Sequence, residues 1–116
     1  PLGLAERLRE HYPATQVSTG SKDPAGFDLV VNGTPLGMNA DDPLPVDVDR
    51  IEPGAFVGEV VMKVERTPLL AAAQARGCRI QVGTDMLFEM IPPYLEFFGF
   101  PTTTPETLRS VARLEY

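Results

Sequence analysis

Asp28-Leu29-Val30-Val31-Asn32-Gly33-Thr34-Pro35-Leu36-Gly37-Met38 decides how this chain is read. An apolar strand, Leu29 to Val31, runs directly into a turn of small and polar residues. An open α/β sheet builds its ligand sites this way: the strand is buried, and its carboxyl end opens into a crevice with accessible backbone amides. Asn32 and Thr34 bring hydrogen-bonding side chains to that end. Gly33 and Gly37 allow close approach or positive φ, and Pro35 stiffens the turn between them.

Around this segment the chain alternates strands and helices. Leu4 to His11 has helical spacing with charges opposite Leu4 and Leu8, and Pro13 ends it. Thr15 to Ser18 is expected as a short strand. Phe27 to Asn32 is the clearest strand, Phe56 to Met62 a second, and Cys78 to Val82 a third. Asn39 to Pro45 reads as an acidic loop and Val46 to Ile51 as a helical turn. Thr67 is placed to cap a helix with Pro68 at its first position, and Gly77 closes it. Thr84 to Phe98 is expected as a long apolar helix, bent or broken at Pro92 and Pro93. Thr103 or Thr104 caps a last helix, with Thr103 and Glu106 spaced as a capping box. Near-continuous apolar strands alternating with helices imply a parallel sheet buried on both faces. The expected fold is α/β, a partial Rossmann-like parallel sheet with flanking helices that ends in C-terminal helices.

Composition narrows the classes. At 116 residues, 43% hydrophobic and 22% charged, the chain is one ordinary globular domain. A net charge of −6 with scattered basic residues argues against a nucleic-acid surface. No apolar run approaches the roughly 20 residues that span a bilayer, and the first residues do not read as a signal peptide. Cys78 has no cysteine partner, which fits a reducing compartment such as the cytoplasm. It reads as a buried small apolar residue. His11 reads as a solvent-facing helix-end residue, and no cysteine–histidine metal spacing occurs. The acids between Asp41 and Asp49 read as an exposed loop.

Four blocks in register carry a family resemblance: the quoted turn, Gly58-Glu-Val-Val-Met62, Thr67-Pro-Leu-Leu-Ala-Ala-Ala-Gln-Ala-Arg-Gly77, and Gly83-Thr-Asp-Met-Leu87. Over roughly residues 28 to 100 the chain resembles the shikimate and quinate dehydrogenases. The resemblance implies an NAD- or NADP-dependent oxidoreductase acting on a cyclic hydroxy or keto acid, as in aromatic amino acid biosynthesis. It is compatible with a homodimer. It implies cofactor contacts at Asn32, Gly33, Thr34 and Pro35, at Val60, and at Gly83 and Met86. The bland reading of Asn32 is a strand-end residue that caps the backbone. Asp85 stands where the family has a second glycine.

Two family substrate contacts are altered. The family's tyrosine falls at Met62 and its glutamine at Met90. A thioether donates no hydrogen bond and accepts one only weakly, so a less hydroxylated substrate becomes an alternative. Lys63 and Glu65 stand beside Met62 as replacement polar contacts or as a solvated loop. The family's catalytic lysine and aspartate have no equivalent here, and no glycine-rich pyrophosphate turn is present. The expectation is a single domain, residues 1–116, forming the back part of a Rossmann-type domain. The N-terminal substrate domain and the glycine-rich turn are absent from it, and the chain alone is expected to be inactive. The other alternative is a non-catalytic cofactor-binding or interaction module.

Overall fold

In the computed structural model, which describes residues 1–39 and 41–114, three strands form one sheet. They are β1 (Leu29–Asn32), β2 (Phe56–Glu59) and β3 (Arg79–Gln81), in the order β1-β2-β3. Both pairings are parallel. Leu29 through Asn32 stand opposite Phe56 through Glu59, and Phe56 to Gly58 opposite Arg79 to Gln81. The strands are shorter than expected, although Phe56 N–H still donates to Asp28 O (2.8 Å) and Val60 N–H to Asn32 O (3.2 Å).

Burial on both faces fails for β1. Val30 and Asn32 are buried, while Leu29 and Val31 are each 59% exposed. On the buried face Val30 joins a core shared with the helix α2 (Pro68–Ala75), which packs against β2, β3 and the 3₁₀ turn Val48–Arg50. The core comprises Val30, Ile51, Ala55, Val57, Leu69, Leu70, Ala73 and Cys78. Large side chains buried as fully as Ile51, Leu69 and Leu70 contribute roughly 1.5–3 kcal/mol each.

Helix α2 follows from its local signals. Thr67 Oγ1 accepts from Leu70 N–H at 3.3 Å, and Pro68 takes the first turn. At the other end Gly77 has φ +85°, and Cys78 N–H donates back to Ala73 O at 3.1 Å. That bond is the wide closure of a left-handed C-terminal cap.

Three local expectations are corrected. Residues 15–18 are not a strand: Arg9, on α1 (Leu2–His11), donates from Nε (3.0 Å) and Nη2 (2.7 Å) to Val17 O. A side chain thus takes the carbonyl that a neighbouring strand would have used. Helix α3 (Gly83–Phe97) continues through Pro92 and Pro93, so the alternative of a break there does not hold. Each proline removes a backbone donor, and Thr102 Oγ1 donates to Pro92 O at 3.4 Å. Helix α4 (Pro105–Val111) is capped by Thr104, whose Oγ1 accepts from Thr107 N–H at 3.2 Å. Pro105 occupies the first helical position, so the cap falls on Thr104 and the Thr103–Glu106 box does not form.

Candidate functional site

Parallel strands bring their carboxyl ends to one edge of the sheet, and the predicted residues gather there. Asn32 ends β1 on the same face as Val30, with 4% of its surface exposed. Its side chain is engaged beneath the turn. Oδ1 accepts from Thr34 N–H (3.0 Å) and Thr34 Oγ1–H (2.7 Å), while Nδ2 donates to Leu36 O (2.9 Å). Thr34 Oγ1 in turn accepts from Leu36 N–H at 3.2 Å. Gly37 turns the chain at φ +91°, and a β-carbon there would lie 3.8 Å from Thr67 Cβ. The turn therefore rests on the start of α2.

This arrangement divides the predicted contacts. Asn32 works from below as an organiser of the backbone, so its side-chain atoms do not face outward. Gly33, Thr34 and Pro35 form the exposed surface of the turn. No atom lies within 4 Å of where a β-carbon on Gly33 would stand, leaving room for a ligand against the backbone. A cavity of about 190 Å³ opens beside Asn32, Gly33 and Thr34 and is lined also by Lys22, Pro45 and Val46.

The second predicted group follows directly. Val60, half-buried past the end of β2, donates its N–H to Asn32 O. Gly83 opens α3 against the next residue: a β-carbon there would land on the Val61 carbonyl, with Val61 C at 2.7 Å and Val60 C at 3.0 Å. Here the glycine serves backbone-to-backbone packing, and its missing side chain leaves no gap on that side. Met86 is half-buried on the first turn of α3, while Met62 and Met90 expose 45% and 36% of their surface. The turn after β1, the segment after β2 and the start of α3 thus adjoin one another at this edge.

Two ties around this edge were not anticipated. Lys63 Nζ donates to Asn39 Oδ1 at 2.9 Å, joining the loops that follow β1 and β2. Asp42 Oδ2 accepts from Asn39 N–H at 2.8 Å, and that bond holds the Asp42 carboxyl below its ordinary value. Arg109 on α4 donates from Nη2 to Glu89 (2.9 Å) and Asp85 (3.3 Å) and lies 5.4 Å from the Phe88 ring centre. Hydrogen bonding to Glu89, then to Asp85, raises the Arg109 pKa. Asp85 is therefore paired at the helix start.

One residue escaped the sequence reading altogether. Glu59, opposite Asn32 in register, is 3% exposed. The signal was a charged residue in the middle of the otherwise apolar run Phe56 to Met62. His11 and Cys78 stand away from this edge: His11 is exposed at the end of α1, and buried Cys78 donates its thiol toward Glu52 O at 3.5 Å. A concavity of about 710 Å³ lies between α1 and residues 17–20 and contains none of the predicted residues.

A parallel three-stranded sheet flanked by helices, with its turns gathered at the carboxyl edge, is an α/β arrangement of the Rossmann type. No family model matches it. The chain is 35% identical over 109 residues to a shikimate dehydrogenase (NADP(+)) of Sinorhizobium fredii, a match covering 93% of this chain and 38% of the relative. With the Acidiphilium cryptum enzyme of the same name it shares 39% over 104 residues, 88% of this chain and 37% of that one. Quinate dehydrogenase from Corynebacterium glutamicum in complex with NAD superimposes with a TM-score of 0.73 at 30% identity, over 95% of this chain and 42% of that chain. The ligand-free 5-ketofructose reductase of Gluconobacter sp. strain CHM43 gives 0.67 at 22% identity over 95% of this chain and 44% of that one, a likeness of fold. The chain is thus related in sequence and structure to the shikimate/quinate dehydrogenase family, and it spans about two fifths of the length of the relatives it matches.

Proposed function

We propose that this chain is the C-terminal portion of the NAD(P)-binding domain of a shikimate/quinate-type dehydrogenase. In this reading a substrate domain and a glycine-rich turn precede it in the native protein. The observation that carries the proposal is the exposed Gly33–Pro35 backbone, held by buried Asn32 at the carboxyl end of β1. That is where a sheet of this type takes a dinucleotide.

Gly33, Thr34 and Pro35 would contact the ribose and nicotinamide half of NADP or NAD, with Asn32 fixing their shape. Val60, Gly83 and Met86 would line the nicotinamide side. The bound nicotinamide supplies the hydride chemistry, and these residues supply position and exclude water. Met62 and Met90 would face a cyclic hydroxy or keto acid. No acid–base residue is assigned within the chain; that role falls to the substrate domain. A cytoplasmic enzyme of aromatic amino acid biosynthesis, able to form a homodimer, is the setting this reading implies.

A second substrate reading rests on the accessible thioethers of Met62 and Met90. A site presenting them in place of hydrogen-bonding groups discriminates weakly in favour of a polyhydroxylated ring. The test is a spectrophotometric assay of the native full-length protein with NAD and NADP against shikimate, quinate and ring acids bearing fewer hydroxyls. Turnover of shikimate or quinate supports the first reading, and preference for the poorer ring supports the second. Absence of any nicotinamide-linked turnover or nucleotide binding would overturn both.

A further inference from the structure

Glu59 ends β2 directly opposite Asn32, and both side chains are buried on one face of the sheet. Glu59 Oε2 accepts from Asn32 Nδ2 at 3.4 Å, while Oε1 is buried with no partner among the described residues. As a device for stability this is a poor choice. Burying a carboxyl group costs free energy that one long hydrogen bond does not recover, and an apolar residue of similar volume commonly does better. Local arrangements that oppose stability concentrate where function requires them.

The geometry shows what the carboxyl group can do. The Asn32 amide has two N–H bonds to place. One goes to Leu36 O and the other faces Glu59 Oε2. With both acceptors on the nitrogen side, Oδ1 must point at Thr34, where it receives both the N–H and the hydroxyl. Thr34 then orders Leu36. The chain of bonds runs Glu59, Asn32, Thr34, Leu36, and the exposed Gly33–Pro35 backbone is its outer edge.

We propose that Glu59 is a positioning residue for the dinucleotide site: its buried carboxyl group fixes the Asn32 amide and so holds the Asn32–Gly37 turn in its binding shape. The inference rests on the functional reading above and assigns to Glu59 a role in cofactor affinity without contact to the cofactor.

The test uses the native full-length protein with Glu59→Met, which keeps length and removes the acceptor, and Glu59→Gln, which keeps an oxygen. Glu59→Met is expected to raise the KM for the nicotinamide nucleotide about tenfold, the scale of one buried donor left without its acceptor, with kcat changed less. Its melting temperature should be unchanged or higher. Residue-resolved hydrogen exchange should accelerate at the Thr34 and Leu36 amides and not in α2. Glu59→Gln should restore both the KM and the exchange. If Glu59→Met fails to fold, Glu59→Asp, which draws the oxygens back by one methylene, takes its place with the same expectations. Wild-type exchange at Thr34 and Leu36 in the substituted protein overturns the proposal. A general loss of protection with a lower melting temperature does so too, since Glu59 would then serve the fold alone, as does failure of Gln to restore the turn. If the wild-type protein binds no nicotinamide nucleotide, the functional reading fails by itself, and the exchange measurement still decides whether Glu59 holds the turn.

Discussion

Gly83 packs with its α-carbon against the carbonyl of Val61, so that a methyl group on Gly83 would occupy the position of that oxygen. Both groups are backbone, and neither can swing aside as a long side chain would. Gly83→Ala is therefore expected to destabilise the protein by about 1–3 kcal/mol, the usual cost of forcing extra volume into a packed site. Urea denaturation measures it, and a variant as stable as wild type would remove the contact from the account.

Gly33 provides the contrasting case. Open space surrounds its missing β-carbon, so Gly33→Ala should change stability by no more than about 0.5 kcal/mol. In the native full-length protein it should nonetheless weaken nucleotide binding, because the added methyl fills the surface assigned to the ribose. Calorimetric titration with NAD and NADP reads the difference. Unaltered affinity for both would take Gly33 out of the proposed site.

Thr67 is wholly buried, caps α2 and underlies Gly37. Thr67→Ala removes the cap and should cost about 1 kcal/mol. Thr67→Ser retains the hydroxyl and should recover most of that loss. Thermal unfolding of the pair separates the cap from the methyl contact; equal losses in both would show that the methyl group dominates.

Asp23 is held below its ordinary value of 3.8 first by its hydrogen bond from Arg50, and Asp42 is held below 3.8 by the Asn39 N–H. A carboxyl group whose folded pKa is depressed stabilises the fold above its unfolded value and loses that contribution as the pH falls through the folded one. The Asn39–Asp42 turn and the Asp23–Arg50 pair should thus be intact at neutral pH and open only in acid below 3.8. The chemical shift of the Asn39 amide against pH reports the first. A midpoint above 3.8 would contradict the assignment.

Substrate choice is tested through the methionines. In the native full-length protein, Met90→Gln and Met62→Tyr should each raise kcat/KM for shikimate or quinate several-fold. A regained hydrogen bond to a neutral hydroxyl contributes about 0.5–1.5 kcal/mol. Reduced activity on these substrates in both folded variants would mean that the thioethers already suit them. The 116-residue chain alone should reduce neither nucleotide with either substrate.

Local signals in the sequence carried far in this chain. Thr67, Pro68 and Gly77 define α2 because capping and positive φ are properties of single residues and their nearest neighbours. The apolar runs gave the three parallel strands for a similar reason. What escaped depends on distant partners. Residues 15–18 have strand-like composition, but their carbonyl is taken by Arg9. Burial of Glu59 requires knowing that Asn32 stands opposite it. The grip of Arg109 on Asp85 and Glu89 spans 24 and 20 residues. That Asn32 caps the backbone was one of its two readings from the sequence, but its partners, Thr34 and Leu36, are fixed only by the folded turn.

The facing of Asn32 and Glu59 also bears on how the sheet assembles. Strands of Val, Leu and Gly offer little to tell one alignment from the next, and a slip of one residue turns every side chain to the opposite face. Such a slip of β2 would set Val60 against Asn32 and carry Glu59 to the other side of the sheet, away from the amide it now meets. The two polar residues at the end of the strands therefore serve as an alignment mark, and a chain that closes the sheet one residue out of step is left with an Asn32 amide that has lost its counterpart.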